Sequence, residues 1–157
     1  MNIALKASGL QDSASSMKTK WGEDVTGAGW TTVPNTLLKN AYRMDLDPAE
    51  TLTLIYLLRF WWNAEDMPYP SISKTSIEMG VTRKTMAKKF ASLQEKGLIK
   101  LVKHKGRRKF SLDGLRERLD YLEKNPKELL SEEEDDYGAL GLEPKPASGV
   151  VLKKAEW

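Results

Sequence analysis

The sequence contains no cysteine and a single histidine, His104, among its 157 residues. Without cysteine there can be no disulfide, no thiol nucleophile and no zinc site of the cysteine type. His104 lies in a basic segment with no carboxylate close to it in the sequence, and the Asp and Glu residues show no metal-ligand spacing. These absences predict that the protein is not an enzyme and that it uses no cofactor and no metal.

Long hydrophobic runs are also missing. The longest candidate, residues 52–62, is interrupted by Thr53 and Arg59 and is shorter than the roughly 20 residues that a membrane span requires. Residues 1–10 lack the continuous apolar stretch of a secretory signal. We therefore expect a cytoplasmic protein with no membrane partner.

The small net charge of +3 conceals an uneven distribution along the chain. Residues 1–70 carry 6 Lys and Arg against 8 Asp and Glu, and residues 111–157 carry 7 against 12. Residues 71–110 carry 12 against 2, a net charge of +10. A block of this kind attracts a polyanion and forms salt-dependent contacts with phosphates, whereas a solvated surface without a ligand is the alternative.

The composition divides the chain into three parts. Residues 1–29 are rich in Ser, Gly and Ala and show no sustained period, so we predict that they are disordered. Residues 30–124 have the patterning of one folded domain. Residues 125–157 include an acidic run at 132–136 and are predicted to form a flexible tail.

The first half of the domain is predicted to contain two helices. Pro34-Asn35 opens a short one, and Asp47, Pro48 and Glu50 form a capping-box start for a longer helix over residues 48–62. The wide apolar face of the longer helix favours core packing, with a subunit contact as the alternative. That predicted face comprises Thr51, Leu54, Ile55, Leu58 and Trp62, with Leu52, Tyr56 and Trp61 alongside.

Two more helices follow, separated by a glycine turn. Ser71 or Ser73 caps a short helix that Gly80 ends, and Thr82 caps a longer helix, residues 82–96, that Gly97 ends. Val81 is an apolar residue of the turn, and the side chains of this pair that we assign to the core are Ile72, Ile77, Met79, Met86, Phe90 and Leu93.

A hairpin and a last helix complete the domain. Residues 98–102 and 109–112 are predicted strands, and the basic residues 103–108 turn between them with Gly106 at the tip. The last helix carries a leucine series, namely Leu112, Leu115, Leu119 and Leu122. This series either packs back on the domain or forms a homodimer contact, for which the helix at residues 48–62 is the other candidate.

This order of elements is that of a winged helix-turn-helix, which belongs to the mainly α class with a small β-hairpin (α+β), here with disordered terminal extensions. The major groove of DNA admits one helix, which must bury one face and expose the other. In residues 82–96 the apolar side chains share one face, whereas Lys84, Lys88 and Ser92 lie opposite. The sequence therefore predicts that residues 82–96 enter the major groove of double-stranded DNA.

The position of each candidate residue determines which part of the DNA it could contact. Arg83 in the first turn of the helix suits a guanine edge, whereas Lys88 and Lys89 suit phosphates. Ser73 and Lys74 open the preceding helix, which abuts the DNA backbone, and the hairpin tip suits the adjacent minor groove. The full set of predicted DNA-binding residues is Ser73, Lys74, Thr82, Arg83, Lys84, Thr85, Lys88, Lys89, Lys105, Arg107, Arg108 and Lys109.

Several segments resemble the winged-helix domain of plasmid and phage replication initiators and replisome organisers. They are Trp30-Thr-Thr-Val-Pro-Asn-Thr-Leu-Leu, Leu46-Asp-Pro-Ala-Glu, Pro70-Ser-Ile-Ser, Gly80-Val-Thr-Arg-Lys-Thr-Met and Leu93-Gln-Glu-Lys-Gly-Leu-Ile. Accessory proteins of mobile elements and MarR-like regulators are similar. The resemblance covers about residues 30–120 and implies binding of double-stranded DNA, commonly as a dimer, in replication, conjugative transfer or transcription regulation.

A second class of function competes with DNA binding. A winged helix can serve as a protein-interaction module, and here the leucine helix and the acidic tail would be the docking elements. The basic face of residues 82–96 favours DNA, because docking to a protein does not require Lys84, Lys88, Arg107 and Arg108 on one surface.

Overall fold

A computed structural model of the protein describes residues 15–126. This part of the chain is mostly helical with one antiparallel two-stranded hairpin, which confirms the predicted fold class. The elements are α1 (residues 15–21), α2 (Glu23–Gly27), α3 (Asn35–Asn40), a 3-10 helix (Ala41–Met44), α4 (Pro48–Leu58), α5 (Ile72–Glu78), α6 (Arg83–Glu95), β1 (Lys100–His104), β2 (Arg107–Ser111) and α7 (Asp113–Lys124).

The chain before Trp30 differs from the sequence prediction. Residues 15–21 and Glu23–Gly27 are helical, so the prediction of disorder over residues 1–29 is wrong for these residues. The hydroxyl of Thr26 is buried and donates to the carbonyl oxygens of Gly22 and Met17, at 2.6 and 3.3 Å. The two short helices therefore stabilise each other, which composition could not indicate. Residues 1–14 and the predicted tail after residue 126 lie outside the described residues.

The start of α4 is as predicted. The backbone N–H of Glu50 donates to Asp47 Oδ1 at 2.7 Å, and the backbone N–H of Asp47 donates to Glu50 Oε2 at 2.9 Å. The two bonds form the capping box, with Pro48 in the first helical position. Both carboxylates are therefore fixed at the N-terminus of α4, next to α6.

The end and the buried face of α4 correct the prediction. The helix stops at Leu58 rather than at residue 62, because the next residues bond three positions back, with Phe60 N donating to Leu57 O at 3.0 Å. Leu54 and Leu57 are fully buried, whereas the side chain of Trp62 is 81% exposed. The buried face is thus rotated towards Leu57, and Trp62 is not part of the core.

The helix pair α5 and α6 meets at a tight turn. Ser71, and not Ser73, caps α5 by accepting from the backbone N–H of Lys74. Gly80 takes a left-handed conformation with φ of 64°, and Thr82 caps α6 by accepting from the N–H of Thr85 at 3.0 Å. The assignment of Ile77 to the core is wrong, since its side chain is 79% exposed.

The core lies where α6 packs on α4, the base of the hairpin and α7. Met86, Phe90 and Leu93 of α6 are buried as predicted, and the ring of Phe90 lies 5.0 Å from that of Phe110 in β2. The other buried apolar residues are Leu37, Met44, Leu54, Leu57, Leu98, Ile99, Leu112, Leu115 and Leu122. One contiguous core therefore fixes the exposed sides of α6 and of the hairpin relative to each other.

The hairpin has a two-residue turn. Lys105 and Gly106 both have positive φ, 48° and 76°, as in the type I′ turns that match strand twist. Arg107 and Arg108 consequently belong to β2 and not to the turn, where the sequence had placed them. The N–H of Phe110 donates to Pro68 O at 2.8 Å. This bond ties the loop between α4 and α5 to the outer edge of β2.

The start of α7 contacts the turn after α6. A Cβ on Gly114 would lie 1.9 Å from the carbonyl oxygen of Gly97, so this approach requires glycine. The N–H of Leu115 donates to Leu98 O at 2.9 Å. α7 thereby holds the base of the hairpin. Among the described helices, none is long and apolar enough to cross a membrane.

Candidate nucleic-acid interface

The exposed side of α6 combines cations with small side chains. Lys84 and Lys88 are exposed and one helical turn apart, and Ala87 and Ala91 lie beside them. Arg83 is exposed at the first position of the helix. Because α6 has 13 residues, it is about 20 Å long. The recognition face comprises Arg83, Lys84, Ala87, Lys88 and Ala91. The methyl groups of its two alanines allow a close approach to base edges in a major groove about 12 Å wide.

A second side of α6 is held by the acids at the start of α4. The Lys89 ammonium donates to Asp47 Oδ2, and Ser92 Oγ donates to Glu50 Oε1 at 2.5 Å. The Lys96 ammonium lies 2.8 Å from Glu50 Oε2. The sequence placed Lys89 and Ser92 on the DNA side, which the structure corrects. These side chains orient the helix instead.

The ionisable groups at the contact between α4 and α6 shift one another's pKa values. Burial raises the pKa of Glu50, but hydrogen bonds from Lys96, Ser92 and the Asp47 backbone outweigh burial and lower that pKa below its ordinary value of 4.5. The Lys89 ammonium likewise lowers the pKa of Asp47, and the bond to Glu50 raises the pKa of Lys96. The carboxylates therefore stay ionised at neutral pH and neutralise cations that the sequence counted as part of the basic block.

The first turns of α5 and α6 hold the remaining helical candidates. Thr82 and Thr85 bring their hydroxyl oxygens to 2.9 Å of each other, so both are engaged in the cap. Ser73 and Lys74 are exposed at the start of α5. Lys74 Nζ lies 3.9 Å from Glu78, which also pairs with Arg59 at the end of α4. The charge of Lys74 is therefore partly neutralised by Glu78, whereas Ser73 is open to solvent.

The hairpin tip, defined as the wing (residues 103–109), concentrates positive charge. Its register places Lys103 directly opposite Arg108 and His104 opposite Arg107. The like charges of Lys103 and Arg108 in directly opposite positions destabilise an isolated hairpin, and an anion relieves their repulsion. Lys103 was absent from the predicted site residues. A two-residue turn at Lys105-Gly106 would have identified it, because such a turn fixes the cross-strand pairs.

Lys109 differs from the rest of the wing. It is half-buried, and its ammonium lies 5.6 Å from the centre of the Tyr69 ring. Strand alternation places Lys109 and Arg107 on one side of the hairpin and Arg108 on the other. The predicted wing contacts are therefore divided between two surfaces.

Comparison with known families identifies the central segment. Residues 45–99 match the family model described as a helix-turn-helix domain. The chain contains a helix-turn-helix domain. The matched segment covers α4, α5 and α6, and the hairpin that follows makes the domain winged. A comparison of the whole chain with curated proteins gave no match.

Helix-turn-helix domains are typically non-enzymatic and bind DNA. Within residues 15–126 no three or more His, Asp or Glu residues are grouped in a way that could hold a metal ion. The exposed surface of α6 offers ammonium and guanidinium groups and small apolar side chains.

The leucine series of α7 is part of the core. Leu112, Leu115 and Leu122 are each at least 95% buried, and Leu119 packs against them. Three of the four leucines are therefore covered by their own domain, and only Leu119 keeps part of its surface exposed; a homodimer contact stays a prediction. Packing back on the domain, one of the two alternatives left by the sequence, is confirmed.

Proposed function

We propose that this protein binds double-stranded DNA sequence-specifically, with α6 in the major groove and the wing on the adjacent minor groove. The observation that carries the proposal is the division of α6 into three sides. One is buried, one is bound to Asp47 and Glu50, and the recognition face is left exposed. Glu95, the one carboxylate of α6, is its last residue and lies far from the groove-facing first turns.

The roles within the interface follow from reach. Arg83 is placed to form paired hydrogen bonds with a guanine edge, and Ala87 and Ala91 can contact thymine methyl groups. Lys84 and Lys88 suit the flanking phosphates, and Ser73 with Lys74 suit the phosphate backbone next to α5. On the wing, Lys103, Lys105 and Arg108 suit the minor groove, whose narrow segments attract cations.

The first test is a binding titration by fluorescence anisotropy on duplexes of about 30 base pairs enriched from a random pool. We expect the logarithm of the association constant to fall linearly with that of salt, by about 0.9 per phosphate contact. We also expect the enriched duplex to bind at least 10³-fold more tightly than unrelated duplex. A flat salt dependence, or equal affinity for any polyanion, would contradict specific DNA binding.

The setting that we propose is a plasmid, a phage or an integrative element, with the protein acting in the cytoplasm on replication, transfer or transcription of that element. The similarity of residues 30–120 to replication initiators and replisome organisers supports this proposal. Footprinting on the DNA of the element would test it. Protection at an origin, at a transfer region or at a promoter would separate the three processes, and no protected site on that DNA would contradict the setting.

A further inference from the structure

A cavity of about 590 Å³ lies between the wing and the loop after α4. Two aromatic side chains on its wall are open to solvent, Trp62 with 81% and Tyr69 with 57% of its surface exposed. Four residues of the wing line the same cavity: His104, Lys105, Arg107 and Lys109. Asp66 is the one carboxylate among the described residues that surround it. Aromatic faces and positive charge therefore converge on one concave surface.

The backbone fixes this arrangement. The bond from Phe110 N–H to Pro68 O holds the loop along the edge of β2, and the neighbours of these two residues, Lys109 and Tyr69, face each other. The type I′ turn places Arg107 opposite His104, on the same side of the hairpin as Lys109. The main-chain bond thus holds the backbone of Tyr69 next to that of Lys109.

We propose that this cavity is a second nucleic-acid site, which takes unpaired nucleotides of single-stranded DNA next to the duplex bound by α6. Nucleobases stack on exposed aromatic rings whatever their sequence, and a cationic groove follows the phosphates. Trp62 and Tyr69 supply the stacking surfaces. Lys105 and Arg107 supply charge for the backbone, and Lys109 lies over the ring of Tyr69.

The duplex interface uses Lys105 of this surface but does not account for the rest of it. Arg107 and Lys109 point to the side of the hairpin opposite Arg108 and the buried Phe110. In a duplex the bases are paired and stacked, so Trp62 and Tyr69 would have no exposed base face to contact. The two exposed aromatic rings favour a nucleic acid over an acidic peptide, since a peptide offers no array of flat rings that could stack on both of them.

The test compares three labelled probes by fluorescence anisotropy with the full chain. They are an oligothymidylate of about 12 nucleotides, an abasic strand of the same length and a duplex of about 30 base pairs. We expect the oligothymidylate to bind at least about 10-fold more tightly than the abasic strand, which carries the same phosphates without bases. Binding should also quench tryptophan fluorescence, and the quenching should be lost in the Trp62→Phe variant while most affinity remains.

Two variants separate the sites. Tyr69→Ala combined with Trp62→Ala should weaken oligothymidylate binding at least about 10-fold and leave duplex binding unchanged. Tyr42→Ala is the matched control, because Tyr42 is 61% exposed but does not line the cavity. Lys84→Ala combined with Lys88→Ala should weaken duplex binding while oligothymidylate binding persists.

Equal affinity for the oligothymidylate and the abasic strand, or equal binding of polyglutamate, would overturn the single-strand site and leave the duplex proposal standing. So would an unchanged oligothymidylate affinity in the folded Tyr69→Ala, Trp62→Ala variant. Absence of duplex binding with intact oligothymidylate binding would instead contradict the proposed function and leave this inference standing. Circular dichroism establishes that each variant is folded.

Discussion

At the scale of single residues, the neighbouring lysines Lys88 and Lys89 have different roles. Lys88 is exposed on the recognition face, whereas the ammonium of Lys89 binds Asp47. Replacing Lys88 by Ala should weaken duplex binding about 3- to 10-fold and reduce the slope of the salt dependence by about 1, because one phosphate contact is lost. Anisotropy titrations at several salt concentrations measure both quantities.

Lys89→Ala is the matched control for that variant. It removes the same charge from the adjacent position, but its expected effect is a loss of no more than about 1 kcal/mol in the free energy of unfolding, as for other partly exposed ion pairs. The salt slope should stay unchanged. Equal slopes for the Lys88 and Lys89 variants would mean that the assignment of these side chains to different surfaces is wrong.

A second residue-scale prediction concerns pH. The pKa of Glu50 is lower in the folded protein than in the unfolded chain, where it is near 4.5. Its ionised form therefore stabilises the fold above that pH, and the contribution is lost as the pH falls through the folded pKa. We expect Glu50→Gln to lose about 1–3 kcal/mol in the free energy of unfolding near pH 7, since Lys96 then loses its nearest carboxylate and keeps only Asp45 at 3.8 Å.

Urea denaturation at a series of pH values checks this expectation. The difference between wild type and Glu50→Gln should shrink as the pH falls from about 4.5, where Glu50 is protonated in the unfolded chain, through the lower pKa of the folded state, where it is protonated in the folded wild type as well. A difference that stays constant from neutral to acid pH would show that the charge of Glu50 does not stabilise the contact between α4 and α6.

At the scale of elements, local signals predicted where helices begin better than which faces they bury. The capping box of Asp47 and Glu50, the cap at Thr82 and the left-handed Gly80 were all correct, because each depends on residues within one turn. The sequence prediction placed Trp62 on the buried face of α4, whereas the structure has Leu57 there and leaves Trp62 exposed. That face depends on α6 and α7, whose positions are not encoded in the local pattern.

The contact between α7 and the turn after α6 leads to an element-scale prediction. Gly114→Ala would place a methyl group 1.9 Å from the Gly97 carbonyl oxygen, so backbone must shift. We expect a loss of about 1–3 kcal/mol or more in the free energy of unfolding. Gly27→Ala is the control, because a Cβ there meets no atom within 4 Å.

Thermal and urea denaturation of both glycine variants give the required comparison. Since alanine is favoured over glycine in a helix, the Gly27 variant should be as stable as the wild type or slightly more stable. If the Gly114 variant were equally stable, α7 could not lie against Gly97 as described, and its support of the hairpin base would be in doubt.

At the scale of the whole molecule, the leucines of α7 stabilise the domain. Leu115 is 2% exposed, so Leu115→Ala should cost about 2–5 kcal/mol in the free energy of unfolding through lost burial and a cavity. Sedimentation velocity should show the same oligomeric state as for the wild type. A folded variant that dissociates from dimer to monomer would show that these leucines also form a contact between two copies.

The overall arrangement could be predicted from the sequence, but parts of the interface could not. The order of helices and hairpin follows from the hydrophobic periodicity and from the capping and turn residues. The exposure of Lys84 and Lys88 follows from their position opposite Met86 and Phe90. Pairing of Lys89 with Asp47 joins residues 42 positions apart, which no local pattern indicates. Helicity at residues 15–27 was missed for the same reason, since it depends on contacts between two short helices.

The central claim is that the recognition face and the wing contact duplex DNA. A groove lined by Trp30, Leu58 and Leu119, to which neither α6 nor the wing contributes a residue, should not contact it. A titration of ¹⁵N-labelled protein with the enriched duplex, followed by NMR, tests this claim most directly. The account predicts that amide shifts concentrate on Arg83 to Ala91 and on the wing, with few changes near Trp30 and Leu58. Shifts concentrated around Trp30 and Leu58, with the amides of Lys84 and Lys88 unmoved, would contradict it.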